Sequence, residues 1–255
     1  MIACVPSVKS SAPADAAASL RAVMNTLLAF DTATERISVA LAARGQIFEH
    51  EGDGGAKASA TFLPTILRLL ADASVQVTDL DAIAFGRGPG AFTGLRTACS
   101  VAQGLAFGSA RPVLPIDSLL AVAEDARIGE GPTRIWAVMD ARMHEIYAAQ
   151  YAYSGGSWQI FDAPMLTTVE RLHAIWRATP PEVVAGNALH AFRSELEPAG
   201  ARCEPDAMPR AVGMLNLARA LAAQGGAVDV AEALPLYMRD KVAETTMERA
   251  ARSAA

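Results

Sequence analysis

The chain has 255 residues, with 52% apolar and 19% charged side chains. That is enough apolar material for one α/β domain or two small lobes, and it excludes a globally disordered chain. Asp plus Glu is 27 against 22 Lys plus Arg, a net charge of -5, so an unaided tight complex with nucleic acid, which rests on neutralised phosphates, is not expected. The longest stretch free of charged residues, 146–161, contains Gln, Ser and Gly and falls short of the roughly 20 apolar residues of a membrane helix. Cys4, Cys99 and Cys203 are odd in number and far apart, with no CxxC, which argues against a disulfide framework or zinc ribbon and points to a reducing cytoplasm.

Residues 1–23 are rich in Ala, Ser and Pro without a hydrophobic period. Lys9 follows the only apolar cluster, the reverse of a signal peptide. The segment reads as a disordered or non-native extension, with Met24 as an alternative start just before the first strong strand. Apolar runs at 27–31, 37–43 and 46–51 are separated by links so short that the three strands must be antiparallel neighbours. A helix over 59–73 carries Phe62, Ile66, Leu69, Leu70 and Ala73 at helical spacing, and Leu63 and Leu67 widen its apolar face. Pro64 sits in an early turn of it or kinks it. A buried-type strand at 82–85, a glycine-rich loop at 86–90, a helix over 93–107, a strand at 112–116 and a helix to 126 complete the first half. The second half begins again with strands at 134–139, 145–153 and 158–161. A helix at 169–178, a strand at 182–185 and helices at 189–196 and 214–223 follow. An antiparallel meander feeding parallel βα units, repeated once in degenerate form, predicts an α/β fold of two mixed sheets flanked by helices, the layout of actin-like ATPases. The expected division is 24–127 for the first lobe, 128–240 for the second and 241–255 for a flexible tail.

No HExxH or HxxxH pair occurs among His50, His144, His173 and His190, and no GxSxG elbow is present. Cys99, in an apolar helix, reads as packing. Three motifs remain. Asp31-Thr32-Ala33-Thr34 joins two strands; its acid and hydroxyls would suit phosphate and water-held Mg²⁺, or would simply satisfy the turn's own N–H groups. The loop from Gly86 to Arg96 joins a strand to a helix N-terminus, where free N–H groups favour anions. It lacks the Gly-Lys-Ser/Thr of a P-loop, and its glycines would equally serve a tight turn. Candidate phosphate contacts are Asp31, Thr32, Thr34, Gly88, Gly90 and Thr93. In the helix that follows, Gly94, Ala98, Ala102 and Ala106 recur every four residues, with Gly104 and Gly108 as further small positions. This helix and the one near Phe62 are apolar on more than one side, so a second apolar partner is expected, another helix of the chain or another subunit.

Five stretches together resemble the bacterial TsaB (YeaZ) family, in the family's order: LLAFDTATERISVAL at 27–41, AFGRGPGAFTGLR at 84–96, AQGLAFG at 102–108, MDARMHEIYAA at 139–149 and PLYMRDKVA at 235–243. The tail before Met24 lies outside that pattern. The resemblance implies a two-lobed actin-like fold and a cytoplasmic, non-catalytic subunit without a cofactor of its own. The implied partner is a paralogous TsaD subunit, which carries the metal and transfers threonylcarbamoyl to N6 of adenosine 37 in tRNAs reading codons that begin with A. A TsaE ATPase joins them, so ATP or ADP belongs to the partner subunits, and tRNA is met through the complex. Where the paralogue places two metal-binding His, Lys57 to Phe62 here contains none. Pairing with TsaD, or with a second copy in a homodimer, is implied through helices of the first lobe. Phe62, Ile66, Leu70, Leu95, Ala98, Ala102 and Leu105 are carried over as the apolar surface. The alternative is a stand-alone actin-like ATP-binding phosphotransferase, which calorimetry with ATP and Mg²⁺ distinguishes. A peptidase lacks a nucleophile–base pair.

Overall fold

A computed structural model of the chain describes residues 24–54 and 58–239, with side chains absent from the description at 58 and 59. The expectations for 1–23 and 241–255, for Lys57 to Ser59, and for the end of the 235–243 motif lie outside the described residues.

The first sheet takes β1 (Leu27–Asp31), β2 (Arg36–Ala43), β3 (Gln46–Asp53), β4 (Ala82–Gly88) and β5 (Val113–Asp117) in the order β3-β2-β1-β4-β5. The links 32–35 and 44–45 are too short for a crossover, so β1, β2 and β3 pair antiparallel. β4 and β5 each follow a helix and add in parallel. Helix α1 (Ala58–Asp72) runs through Pro64 unbroken, and helix α2 (Phe92–Ser109) follows the glycine loop.

β1 lies at the centre and is buried on both faces. Its alternation is visible in the packing: Leu28 and Phe30 point to α1 and α2, meeting Phe62, Ile66, Leu70, Ala98 and Ala102. Leu27 and Ala29 point the other way, to Met214, Leu215 and Ala218. Those three belong to α6 (Ala211–Ala223), so the last long helix, placed by chain order in the second lobe, covers the first sheet. Helix α3 (Ser118–Ala126) does the reverse. Leu119, Val122 and Ala123 pack on Ile135, Ala137 and Tyr151 of the second sheet. The chain thus exchanges a helix in each direction, and a cut at 127/128 does not separate two independent cores.

The second sheet comprises β6 (Thr133–Arg142), β7 (Glu145–Ser154), β8 (Ser157–Thr167), β9 (Val183–Ala185) and β10 (Arg202–Glu204), in the order β10-β9-β6-β7-β8. Renumbered from its own first strand this is again 3-2-1-4-5, with the same antiparallel and parallel pairs. Trp136, Val138 and Ala148 meet Leu172 and Trp176 of α4 (Val169–Ala178) on its outer face. Two sheets of one topology, each helix-covered, make this the actin-like α/β fold.

Three differences from the sequence reading have local causes. β8 is much longer than 158–161 because pairing with β7 carries it past Asp162 and Pro164, which an edge strand tolerates. The helix expected over 189–196 is one short helix, α5 (Ala188–Ala191), followed by turns. β10, three residues with two charges, has no hydrophobic pattern and exists only through β9.

Candidate functional site

The Asp31–Thr34 turn and the glycine loop are brought together, but as a packed joint. Asp31 is 1% exposed. Its Oδ1 accepts from the Ala33 N–H at 2.6 Å, and its Oδ2 accepts from the Ser118 hydroxyl at 2.6 Å. A Cβ on Gly86 would lie 1.7 Å from that Oδ2. The Thr32 hydroxyl donates to the Gly94 carbonyl at 2.7 Å, and a Cβ on Gly94 would meet the Thr32 carbonyl oxygen at 1.9 Å. A Cβ on Gly90 would meet Ala33 at 2.5 Å, and the Ala91 N–H donates to the Ala33 carbonyl at 2.7 Å. The glycines here serve close backbone approach.

The residues expected to contact phosphate are placed as follows. Asp31 and Thr32 spend their polar atoms on the chain itself. The Thr34 hydroxyl accepts from the Arg36 N–H at 3.2 Å, closing its own turn. Gly88, at φ 109°, is wedged between Leu95 and the Leu236 carbonyl. Gly90 abuts Ala33. Thr93 is exposed, and its carbonyl accepts from the Thr97 hydroxyl. For Asp31 to hold a hydrated cation it would have to leave a buried pocket.

Burial raises the Asp31 pKa to about 6, opposed by the bonds from Ser118 and Ala33. A carboxyl that binds its proton more tightly in the native state stabilises the fold below the unfolded pKa near 4. That contribution is lost as pH climbs through about 6. Asp31→Asn can keep both hydrogen bonds, its Nδ2 donating to Ser118 and its Oδ1 accepting from Ala33, without the buried charge. Urea titrations should show the variant about 2–3 kcal/mol more stable than the parent at pH 8, the gap shrinking to about 1 kcal/mol at about pH 4.5 and closing below about pH 4. A variant less stable at both pH values would refute this assignment.

Beside this joint, a cleft of about 240 Å³ opens between the lobes. Ala33, Gly90, Phe92 and Leu95 line it from the first lobe and Met139, Asp140, Tyr147 and Asn187 from the second. Residues 236–239 run along it. The β6–β7 turn at its rim is unusual. The β2–β3 and β7–β8 turns put Arg44-Gly45 and Gly155-Gly156 at positive φ, as two-residue hairpins with primed turns require. The third hairpin does so with Arg142 (φ 62°), Met143 (φ 54°) and His144 (φ 62°), none of them glycine. Each such residue costs on the order of 1 kcal/mol or more.

Elsewhere the chemistry-bearing residues are dispersed. His144 contacts Glu195 at 2.9 Å, His190 contacts Asp206 at 2.9 Å, and His50 lies 3.2 Å from Arg68. The buried Cys99 thiol donates to the Ala233 carbonyl at 3.0 Å, and burial raises its pKa. Among the described residues no group of three or more His, Cys, Asp or Glu is placed to hold a metal. Nor is any helix there long and apolar enough to cross a membrane.

The expected apolar surface also needs correcting. Phe62, Ile66, Leu70, Leu95, Ala98 and Ala102 are buried, all but Leu95 among the residues packed on the first sheet's own core, and Leu105 is half-buried against it. Their spacing marks the inward faces of α1 and α2. Ala98→Glu or Ala102→Arg would therefore break the fold rather than report on pairing. The outward faces carry Leu63 (40% exposed) and Leu67 (49%) on α1 and Phe107 (82%) on α2. On α2, Gly104 and Gly108 are exposed, and an added Cβ would have nothing within 4 Å. The sequence signal was present: Leu63 and Leu67 widen the stripe of α1 beyond what one sheet covers. Phe107 follows the small-residue ridge and belongs to neither stripe.

Comparison with known proteins places this arrangement. The family profile described as TsaD: tRNA N6-adenosine threonylcarbamoyltransferase matches residues 54–197. The tRNA threonylcarbamoyladenosine biosynthesis protein TsaB of Escherichia coli (strain K12) is 34% identical over 85% of this chain and 96% of its own length. The protein of the same description from Haemophilus influenzae is 34% identical over 85% of this chain and 94% of its own. The solved structure of YeaZ from Pseudomonas aeruginosa superposes with a TM-score of 0.76 at 37% identity, over 84% of this chain and all of that one. Near-complete coverage of these relatives in both sequence and structure establishes that the chain belongs to the TsaB (YeaZ) family.

Proposed function

We propose that this chain is a TsaB-type subunit of the machinery that makes threonylcarbamoyladenosine in tRNA. It acts in the cytoplasm by pairing with a TsaD-type subunit that owns the reactive centre, and has no catalytic role alone. A TsaE-type ATPase completes the assembly, and the metal and ATP or ADP belong to those partners. The observation that carries the reading is the outward face of α1 and α2. Leu63 and Leu67 of α1 are part exposed and Phe107 of α2 stands in solvent, and on α2 Gly104 and Gly108 are open to close approach, while the turn at 31–34 is filled by the chain's own atoms. Helices meet most closely where small residues let the backbones approach, with large apolar side chains alongside. A partner helix seated on this face would cover these side chains.

The test is reconstitution. TsaD-type and TsaE-type subunits, threonylcarbamoyl-adenylate and substrate tRNA are assayed with and without this chain. Modification should collapse when it is omitted; undiminished modification would discard the reading. Gly104→Gln separates pairing from folding. Replacing an exposed mid-helix glycine stabilises the isolated chain by up to about 1 kcal/mol, yet places a long side chain where a partner helix would approach. Thermal melting should rise while affinity for the TsaD-type subunit falls at least about tenfold. Unchanged affinity would remove this stretch of α2 from the interface.

A further inference from the structure

Residues 235–239 cross from one lobe to the other at the cleft. At the first lobe, the Leu236 N–H donates to the Arg87 carbonyl at 2.7 Å. The Tyr237 ring lies 5.2 Å from that of Phe92, and its hydroxyl accepts from Arg96 Nε at 3.2 Å. At the second lobe, Arg239 pairs with Glu145 and donates to the Arg142 carbonyl at 3.3 Å. It also approaches the Met143 sulfur at 2.8 Å. The Arg239 side chain is only 14% exposed, so these contacts are shielded from solvent and weakly screened by salt, unlike loose surface pairs. Two of them fall on Arg142 and Met143, within the left-handed run of the β6–β7 turn. A turn built from three residues that disfavour its conformation persists only where its surroundings hold it. Direct contact between the lobes at this rim adds the Glu35–Arg142 pair, exposed at both ends.

We propose that residues 235–239 are a latch that holds the two lobes closed over the cleft and braces the strained 142–144 turn through Arg239. The strap grips both lobes within five residues, so the two grips act together: freeing one end loosens the other. The exchanged helices α3 and α6 already join the lobes at their packed sides, so the latch acts at the open rim of the cleft, where the only motion left is a local parting of the two edges. The rim of the cleft loosens when the strap lets go.

Hydrogen exchange on the full chain tests this, comparing the parent with Arg239→Ala and, from the opposite side of the same contact, Glu145→Gln. Loss of a charged, solvent-shielded contact should speed exchange across 140–147 about tenfold. The diagnostic amide is that of Leu236, which sits at the other lobe and touches neither substituted side chain. It should speed up by a similar factor in both variants, while strands β1 and β6 keep the parent's protection. The milder Tyr237→Phe keeps the ring contact, loses the Arg96 bond, and should loosen Leu236 and, to a smaller degree, 140–147. Acceleration confined to 140–147 would make Arg239 a local brace and overturn the latch. So would unchanged protection, or a uniform rise across all strands.

Discussion

Gly94→Ala should be a severely damaging single-methyl change. The added Cβ would sit 1.9 Å from the Thr32 carbonyl oxygen, a backbone atom with nowhere to go. Thr32 is itself held by the bond from its hydroxyl to the Gly94 carbonyl, and Ala33 by the Ala91 N–H. Relieving the clash means parting the glycine loop from the 31–34 turn and losing both bonds. Overpacking a rigid site costs about 1–3 kcal/mol, and each stranded hydrogen-bonding group adds about 1–3 kcal/mol. A total of about 4 kcal/mol is a large share of the stability of a domain, and corresponds to a fall in melting temperature on the order of 10 °C. Gly104→Ala is the control on the same helix, with no atom near the new methyl and a gain in helix propensity. Calorimetric melting of the pair should show opposite shifts. A Gly94→Ala protein that melts with the parent would mean the loop and turn are not packed as described.

The double substitution Leu67→Glu with Phe107→Glu should have the opposite profile: an intact fold and a lost partner. Phe107 stands largely in solvent and Leu67 is about half exposed, so the change costs the isolated chain about 0.5 kcal/mol at Phe107 and about 1 kcal/mol at Leu67. At a packed helix–helix contact the same change removes apolar burial worth about 1.5–3 kcal/mol per side chain and strands carboxylates in the seam. A loss of about 4 kcal/mol or more is on the order of a thousandfold in Kd. Isothermal calorimetry with the TsaD-type subunit, alongside a melt of the free variant, reads both quantities. Parent-like affinity would take these helices out of the interface. A variant that fails to fold would contradict the exposure assigned to both residues.

How far the sequence could be read depended on which contacts a local pattern encodes. The meander β1–β3 was legible because links of a few residues permit one pairing only, and α4 because Thr168 caps a run with apolar residues at helical spacing. The Arg44-Gly45 and Gly155-Gly156 turns carry their glycines openly; the 142–144 turn does not, since nothing in Arg-Met-His announces positive φ. The exchange of α3 and α6 between the sheets was hidden because a helix's apolar stripe says that it is covered, not by which sheet. The same ambiguity misdirected the interface assignment: Phe62, Ile66, Ala98 and Ala102 mark the regular face of an amphipathic helix, and that face went to the chain's own core. On α1 and α2, Leu63, Leu67 and Phe107 fall outside that face. At the turn, Asp31 and the glycines carry the composition of a phosphate site, and only the approach of Gly86, Gly90 and Gly94 to Asp31, Ala33 and Thr32 shows the space to be filled.

The most direct test of pairing is sedimentation velocity of the purified chain mixed in equal amounts with the TsaD-type subunit at micromolar concentration. The outward face of α1 and α2 predicts one faster boundary containing both proteins, and its disappearance with the Leu67→Glu, Phe107→Glu variant. Two boundaries at the rates of the separate proteins, or a joint boundary that survives the variant unchanged, would contradict it.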